Sequence, residues 1–341
     1  MEAWMDWHYR RYPAMEPMDE VKLLFQARMG CGHLLAEEDA VTERIALEEK
    51  ALVPDPAEPL TEPLGGRYMR LNLRRAMAEG IRPEWIARMM RNSPAPVSTR
   101  EDVAQDERLS EAARPLARRL VEEHDWLPGH SASYLAAYAP AYRVIGRAYL
   151  PVFPVLAALQ RQWDRPRLLV CIDGPCGSGK TTLSRLLAPV IGAGVVSMDD
   201  FFLPHGCKTP ERLALPGGNA DWERVLEEFV LPWQAAGHAA YRPYDCHTDD
   251  YLPPKEIDNP LLAVLEGSYS LIPALGDRAD LRVFLTVDPQ VQRRRILERN
   301  GPEALQGFVS RWIPLEQAYF SAFSLPDDSC LTLDTSAQQE V

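Results

Sequence analysis

Eight residues constrain this chain more than any others: Gly174-Pro175-Cys176-Gly177-Ser178-Gly179-Lys180-Thr181, a full match to GxxxxGK[ST]. An apolar run, Leu168 to Asp173, precedes them, and TTLSRLLAPVIG follows with apolar residues at helical spacing. Strand, glycine-rich loop and helix in that order form the setting in which such a motif holds phosphate. The glycines let backbone N–H groups turn inward on phosphate oxygens, and the helix adds the positive end of its dipole. In that reading Gly174, Gly177, Ser178 and Gly179 form the cradle and Lys180 reaches the β- and γ-phosphates. The Thr181 hydroxyl would ligate magnesium, and Thr182 extends the polar collar. Binding of a nucleoside triphosphate is therefore expected, but the loop alone does not separate kinases from ATPases, GTPases or motor domains.

The rest of the chain has two textures. At about 100–200 residues per domain, its 341 residues suggest two domains, and the break falls at Trp163-Asp164-Arg165-Pro166. Residues 164–341 alternate β-type runs with helical patterns, which predicts an α/β domain with a parallel sheet flanked by helices. The strands are expected at Leu168 to Asp173, Val195 to Asp199, Leu261 to Glu266, Leu281 to Val287 and Cys330 to Asp334. Helices are expected over 221–236, 289–299 and 303–323. Residues 1–163 read as a mainly α-helical domain with Pro-rich breaks. There Asp19 caps a helix carrying Val21, Leu24, Phe25 and Met29, and 53–65 is a loop. Further helices are expected over 70–79, 83–91, 109–123 and 133–159, the last interrupted by prolines.

Two carboxylates extend the chemistry. Asp199 stands at the end of the second strand, in the crevice where open α/β sheets bind ligands, and an ionised acid there can accept the proton of an attacking hydroxyl. Glu266 ends the third strand in LEGSY, where a carboxylate would hold magnesium directly or through water.

The order GPCGSGKTT, SMDDFFLP, DWERV, YRPYDC and LEGSY resembles the uridine kinase family of P-loop kinases, related to phosphoribulokinase and bacterial pantothenate kinase, over roughly residues 165–336. The resemblance implies ATP and Mg2+, with the γ-phosphoryl group passed to a hydroxyl of uridine or a related nucleoside. It implies Asp199 as the catalytic base beside Lys180, and it sets Asp221, Tyr244 and Asp245 where the family holds its acceptor. It also implies that the arginines of VQRRRILER form a lid, with Arg295 and Arg299 on one helix face as the nucleotide contacts. The sequence departs from the family at Phe202, in place of a tyrosine, and at Asp249, where nucleoside-specific members place a histidine. A kinase for pantothenate, glycerate or a sugar-type acceptor is an alternative, as is an ATP-dependent regulatory module with no small acceptor.

Charge and cysteine usage narrow the partners. Thirty-seven basic against forty-nine acidic residues give a formal charge of −12, which argues against a broad nucleic-acid-binding surface and for a small-molecule partner. Six dispersed cysteines without a CxxC pair argue against a disulfide framework or zinc ribbon. With no long apolar stretch, a cytoplasmic protein with no membrane role is expected. Gly30-Cys31-Gly32-His33 offers only two metal ligands and reads better as a buried or capping histidine. Polar and aromatic groups cluster at Arg70-Leu71-Asn72 and at His130-Ser131 through Tyr134, Tyr138 and Tyr142. Such groups either pack or mark a binding surface; shaping the acceptor site, binding a regulator or dimerising are the roles open to this region.

Overall fold

The computed structural model describes residues 3–31 and 37–337, so Gly32 and His33 lie outside the described residues. The chain forms two compact units, Met1–Phe153 and Pro154–Val341.

The first unit is mainly helical, as expected, and adds a small sheet the sequence reading lacked. Helix α1 (Pro17–Met29) begins before the expected cap, so Asp19 sits inside its first turn and accepts from the Glu16 N–H at 3.0 Å, and a three-stranded antiparallel sheet follows. It consists of β1 (Thr61–Pro63), β2 (Tyr68–Asn72) and, past helix α2 (Pro83–Arg91), β3 (Tyr142–Gly146). Strand β2 lies in the middle, with Thr61 facing Leu71 on one side and Arg70 facing Val144 on the other. The expected helix 70–79 thus begins as a strand, and only Leu73–Ala78 is helical. The reason is burial: Tyr68, Met69, Arg70 and Leu71 are all enclosed, which suits a central strand and not an amphipathic helix. Asn72 ends the strand and caps the helix, its Oδ1 accepting from the N–H groups of Arg74 at 2.9 Å and Arg75 at 3.3 Å. Likewise 53–65 contains β1, the helix expected over 109–123 covers only Arg114–Glu122, and 133–159 resolves into Ala132–Tyr138, β3 and the helical turns up to Gln160.

The second unit is the expected α/β fold. Its five parallel strands are β4 (Leu168–Asp173), β5 (Gly194–Ser197), β6 (Leu262–Glu266), β7 (Leu281–Thr286) and β8 (Cys330–Asp334), in the order β8-β7-β4-β6-β5. Strands β4 and β6 are buried along their whole length, as a strand covered by helices on both faces must be. Helix α3 (Lys180–Ile191) follows β4, while α4 (Pro289–Gly307) and α5 (Ile313–Ala322) lie between β7 and β8. Helix α4 is broken at Gly301, whose φ is 82°, just before Pro302. Two antiparallel hairpins outside the sheet, 238–241 with 255–258 and 244–245 with 250–251, have no counterpart in the sequence reading. Among the described residues no helix is long and apolar enough to cross a membrane.

Strand order positions the site. β6 lies on one side of β4 and β7 on the other, so the crossovers leave β4 in opposite directions and open a crevice at its carboxyl end. Gly267, just past β6, has a φ of 131° and lets the chain pass so near β5 that a Cβ there would stand 2.7 Å from that of Met198. The sheet rests on a core that includes Leu169, Val196, Phe229, Trp233 and Leu265. Leu265→Ala, at a fully buried position of β6, is expected to destabilise by about 2–5 kcal/mol, read as a lower urea midpoint at an unchanged m-value.

Candidate functional site

The site grows from the loop between β4 and α3. Gly174 leaves the strand with a φ of 140°, and a Cβ on it would lie 2.3 Å from the Leu285 carbonyl oxygen, so only glycine fits. Every loop carbonyl from 174 to 178 has a donor. The Lys180 ammonium donates to the oxygens of Gly174 at 2.6 Å and Pro175 at 3.0 Å. Gln292 Nε2 donates to Cys176 O at 2.8 Å, the Arg295 guanidinium to Gly177 O at 3.2 Å, and the Thr335 hydroxyl to Ser178 O at 2.8 Å. The N–H groups of Gly177 and Gly179, by contrast, have no acceptor among the described residues. A loop with its carbonyls satisfied and the Gly177 and Gly179 amides open fits a polyanion.

Three carboxyl groups border this loop. Asp173 is fully buried, accepting from the N–H groups of Gly174 at 2.7 Å and Leu271 at 3.0 Å and from the Tyr319 hydroxyl at 2.8 Å. Burial pushes its carboxyl up to about 6 in spite of the Lys180 charge and these donors. Glu266 accepts from the Ser197 hydroxyl at 3.0 Å and the Thr181 hydroxyl at 3.2 Å, and burial raises it as well. Glu266 and Thr181 together offer hard oxygen donors of the kind magnesium takes. Glu316, from α5, accepts from the Cys176 N–H at 2.9 Å and the Ser268 hydroxyl at 2.6 Å.

The two adjacent aspartates after β5 are unlike. Asp200 is occupied: Tyr241 donates to it at 2.9 Å and the Lys255 ammonium lies 2.9 Å away. The Asp199 carboxylate has no hydrogen-bond or ion-pair partner among the described residues. Solvent reaches it, yet the protein crowded around it desolvates the carboxyl enough to raise its pKa. The charges of Lys180 and Arg299 pull the other way, and those of Asp200 and Glu316 add to the rise.

The remaining expected residues scatter. Asp221 lies beside the Asp199 segment, since its N–H donates to Phe201 O at 2.7 Å and Phe202 bridges to Ala220; its carboxylate caps a helical turn at Arg224. The Tyr244 hydroxyl donates to Asp249, and Asp249 also accepts from the His205 N–H at 3.1 Å, so the hydroxyl is already engaged. Asp245 is half-exposed and accepts from the His247 N–H at 2.8 Å. Thr182 is exposed on the first turn of α3. Arg295 and Arg299 share a helix but differ in surroundings: Arg295 is buried and tied to Gly177 and Thr335, whereas Arg299 is exposed and bonds Asn300 at 2.7 Å. Cys31, in the first unit, is buried and donates to Met90 O at 3.4 Å, its thiol pushed up to about 11 by burial.

Sequence reasoning missed Asp173, Ser197, Glu316 and Tyr319. Only Asp173 carried a signal, as an acid ending an apolar strand directly before the loop.

No family profile and no curated protein matches the chain. Among solved structures, a possible uridine kinase from Bacillus stearothermophilus is 19% identical, over 49% of this chain and 89% of that one, with a TM-score of 0.36. A protein from Silicibacter sp. TM1040, provisionally assigned as a fructose transport system kinase, is 25% identical over 55% and 98%, with a TM-score of 0.42. A gluconokinase from Sinorhizobium meliloti 1021 is 20% identical over 51% and 85%, with a TM-score of 0.29. Each of the three is described as a kinase, one as possible and one provisionally.

Asp173 makes stability depend on pH. Its carboxyl titrates near 3.8 in the unfolded chain and near 6 in the fold, so between those values the folded state binds more protons and stability falls as pH rises. Asp173→Asn is expected to flatten that decline, measured as the difference in melting temperature between variant and parent from pH 4 to pH 6.

Proposed function

We propose that the second unit is an ATP-dependent small-molecule kinase, with Asp199 as the base and the loop 174–181 as the phosphate cradle. The observation that carries this reading is the contrast at the end of β5: Asp200 is locked in an ion pair, while Asp199 is left unpaired where the Lys180 charge reaches it.

In this reading the acceptor oxygen bonds to the γ-phosphorus of ATP as the bond from that phosphorus to the ADP oxygen breaks. The Asp199 carboxylate takes the hydroxyl proton. Lys180 leaves the Gly174 and Pro175 carbonyls for phosphate oxygens, exchanging neutral acceptors for charged ones. Magnesium, when bound, offsets the negative charge that builds on the transferring group. Thr181 and Glu266 are the residues placed to hold it, with Ser197 fixing the Glu266 carboxylate. Arg295 acts as a positioning residue for the loop, and Arg299, exposed and bonded to the adjacent Asn300, is the arginine that approaches the nucleotide. Asp221 lines the acceptor side, with the Tyr244–Asp245 hairpin as its outer wall. Uridine or a related nucleoside is the first acceptor class to test, followed by pantothenate, glycerate and sugars; the first unit serves as an accessory domain.

Screening these acceptors with coupled ADP detection tests the assignment. At least one is expected to stimulate ADP release, and Asp199→Asn should lower that rate by about 10²–10⁴-fold, the usual span for a lost general base, with ATP affinity retained. If no acceptor stimulates the parent protein, a regulatory nucleotide-binding module replaces the kinase reading. The pH profile gives a further check. Asp199 works ionised, so the rate falls as pH drops through its raised pKa, and the acid limb should lie above the ordinary carboxylate range. Arg299→Ala removes a neighbour that favours the ionised form and should move that limb to higher pH.

A further inference from the structure

The first unit contains a second polar centre, built on one face of α1. Asp19, Lys22 and Gln26 stand three and four residues apart, so they share a face. Asp19 is 1% exposed and Gln26 8% exposed, so that face points into the unit. Polar groups buried this way are costly unless partnered, and here almost all of them are.

The partners form one directed chain. The buried Arg70 guanidinium lies 4.3 Å from the centre of the Tyr142 ring and donates to Gln26 Oε1 at 2.8 and 3.0 Å. Gln26 Nε2 donates to the Tyr142 oxygen at 3.1 Å, and the Tyr142 hydroxyl donates to His130 Nε2 at 2.6 Å. His130 Nδ1 then donates to Asp19 Oδ1 at 2.8 Å. Asp19 also accepts from the Ser131 N–H at 3.1 Å and the Ser131 hydroxyl at 2.5 Å. This order requires a neutral imidazole, in keeping with a His130 pKa that burial, then the Lys22 charge, lowers to about 4.

Lys22 is the exception. Its ammonium makes no hydrogen bond or ion pair with any described residue, although burial and the Arg70 charge push it down to about 8. Beside it lies a cavity of about 320 Å³. Its lining includes the polar Lys22, Arg44, Tyr142 and Arg143 and the apolar Met90 and Leu135. Of the charged side chains lining it, three are cations and one, Glu48, is an anion already bound to Arg143 at 2.5 Å. A surplus of positive charge around a half-open hollow stands out in a chain of net charge −12.

We propose that this cavity binds a small organic anion, a phosphate monoester or a polycarboxylate, whose charged group is taken by Lys22 with Arg44 and Arg143 and whose carbon body lies against Met90 and Leu135. The hydrogen-bonded chain behind it acts as a rigid wall that keeps Tyr142 and Gln26 from collapsing onto the ammonium. The site is independent of the kinase reading, because none of its residues belongs to the phosphate loop.

The experiment is calorimetric titration of the full-length protein with glycerol 3-phosphate and with citrate. The titrations are run with the phosphate loop filled by a nonhydrolysable ATP analogue and magnesium, and again in Lys180→Ala, so that the outcome does not depend on nucleotide binding. Binding of one probe is expected, and which one binds identifies the anion. Lys22→Met and Arg44→Gln should each weaken it by about tenfold or more, the size of one charge-assisted hydrogen bond. Amine acetylation followed by mass spectrometry gives a readout that does not rely on a variant folding: the bound probe should protect Lys22 in the parent protein. Absence of binding by both probes, or binding that neither substitution weakens and that leaves Lys22 as reactive as before, would overturn the proposal.

Discussion

The second unit turns on how its glycine loop divides its backbone polar groups. A buried loop must find a partner for each N–H and each C=O, and here the carbonyls of residues 174–178 are all answered by side chains from Lys180, Gln292, Arg295 and Thr335. Those donors come from three places: the loop itself, α4, and the turn after β8. The loop therefore keeps the Gly177 and Gly179 amides open only when the sheet and α4 are in register around it. The open state of these amides is in this sense a property of the whole sheet, since a shift of β8 or α4 would free carbonyls to compete for them.

What could be read from sequence follows the range of the interactions. β4, the loop and α3 are continuous in the chain, and the patterns of glycine, lysine and buried apolar residues locate them nearly to the residue. Asp199 and Glu266 were legible because strand ends are local features. The difference between Asp199 and Asp200 was not, because it depends on Tyr241 and Lys255 from a distant hairpin. Arg295 and Arg299 lie on one helix face by spacing, yet Thr335 claims only the first, a contact that no periodicity contains. In the first unit the end of β2 was read as helix because the neighbouring β1 is only three residues long and the other partner, β3, is distant in sequence, with Asn72 facing Tyr142, so the strand leaves little periodic signal.

Acid crowding gives the crevice a second constraint. Asp173, Asp199 and Glu266 all gather around a loop suited to polyanions, and burial raises each of their pKa values. Bringing a phosphate tail beside them is unfavourable unless positive charge comes with it. Lys180 supplies one charge and Arg299 another, and the Thr181–Glu266 pair provides oxygens for a divalent ion. Under the proposed function a metal-bound nucleotide is the form that suits these charges, because a bare triphosphate would meet those carboxylates largely unscreened.

The first unit handles buried polarity the opposite way. The crevice of the second unit concentrates carboxylates beside open backbone amides, whereas the α1 centre satisfies its carboxylate fully and leaves an ammonium without a partner among the described residues. The choice of Asp19 for saturation is what makes this possible. Had its oxygens been free, Lys22, one helical turn away, would form an ion pair with it and the cavity would lose its unpaired charge. Ser131 and His130 fill the Asp19 lone pairs from outside the helix, which deprives Lys22 of its nearest acceptor. Removing those donors should therefore close the site from within: a freed Asp19 would draw the ammonium back along α1, and the cavity would lose its affinity for anions with every lining residue still in place.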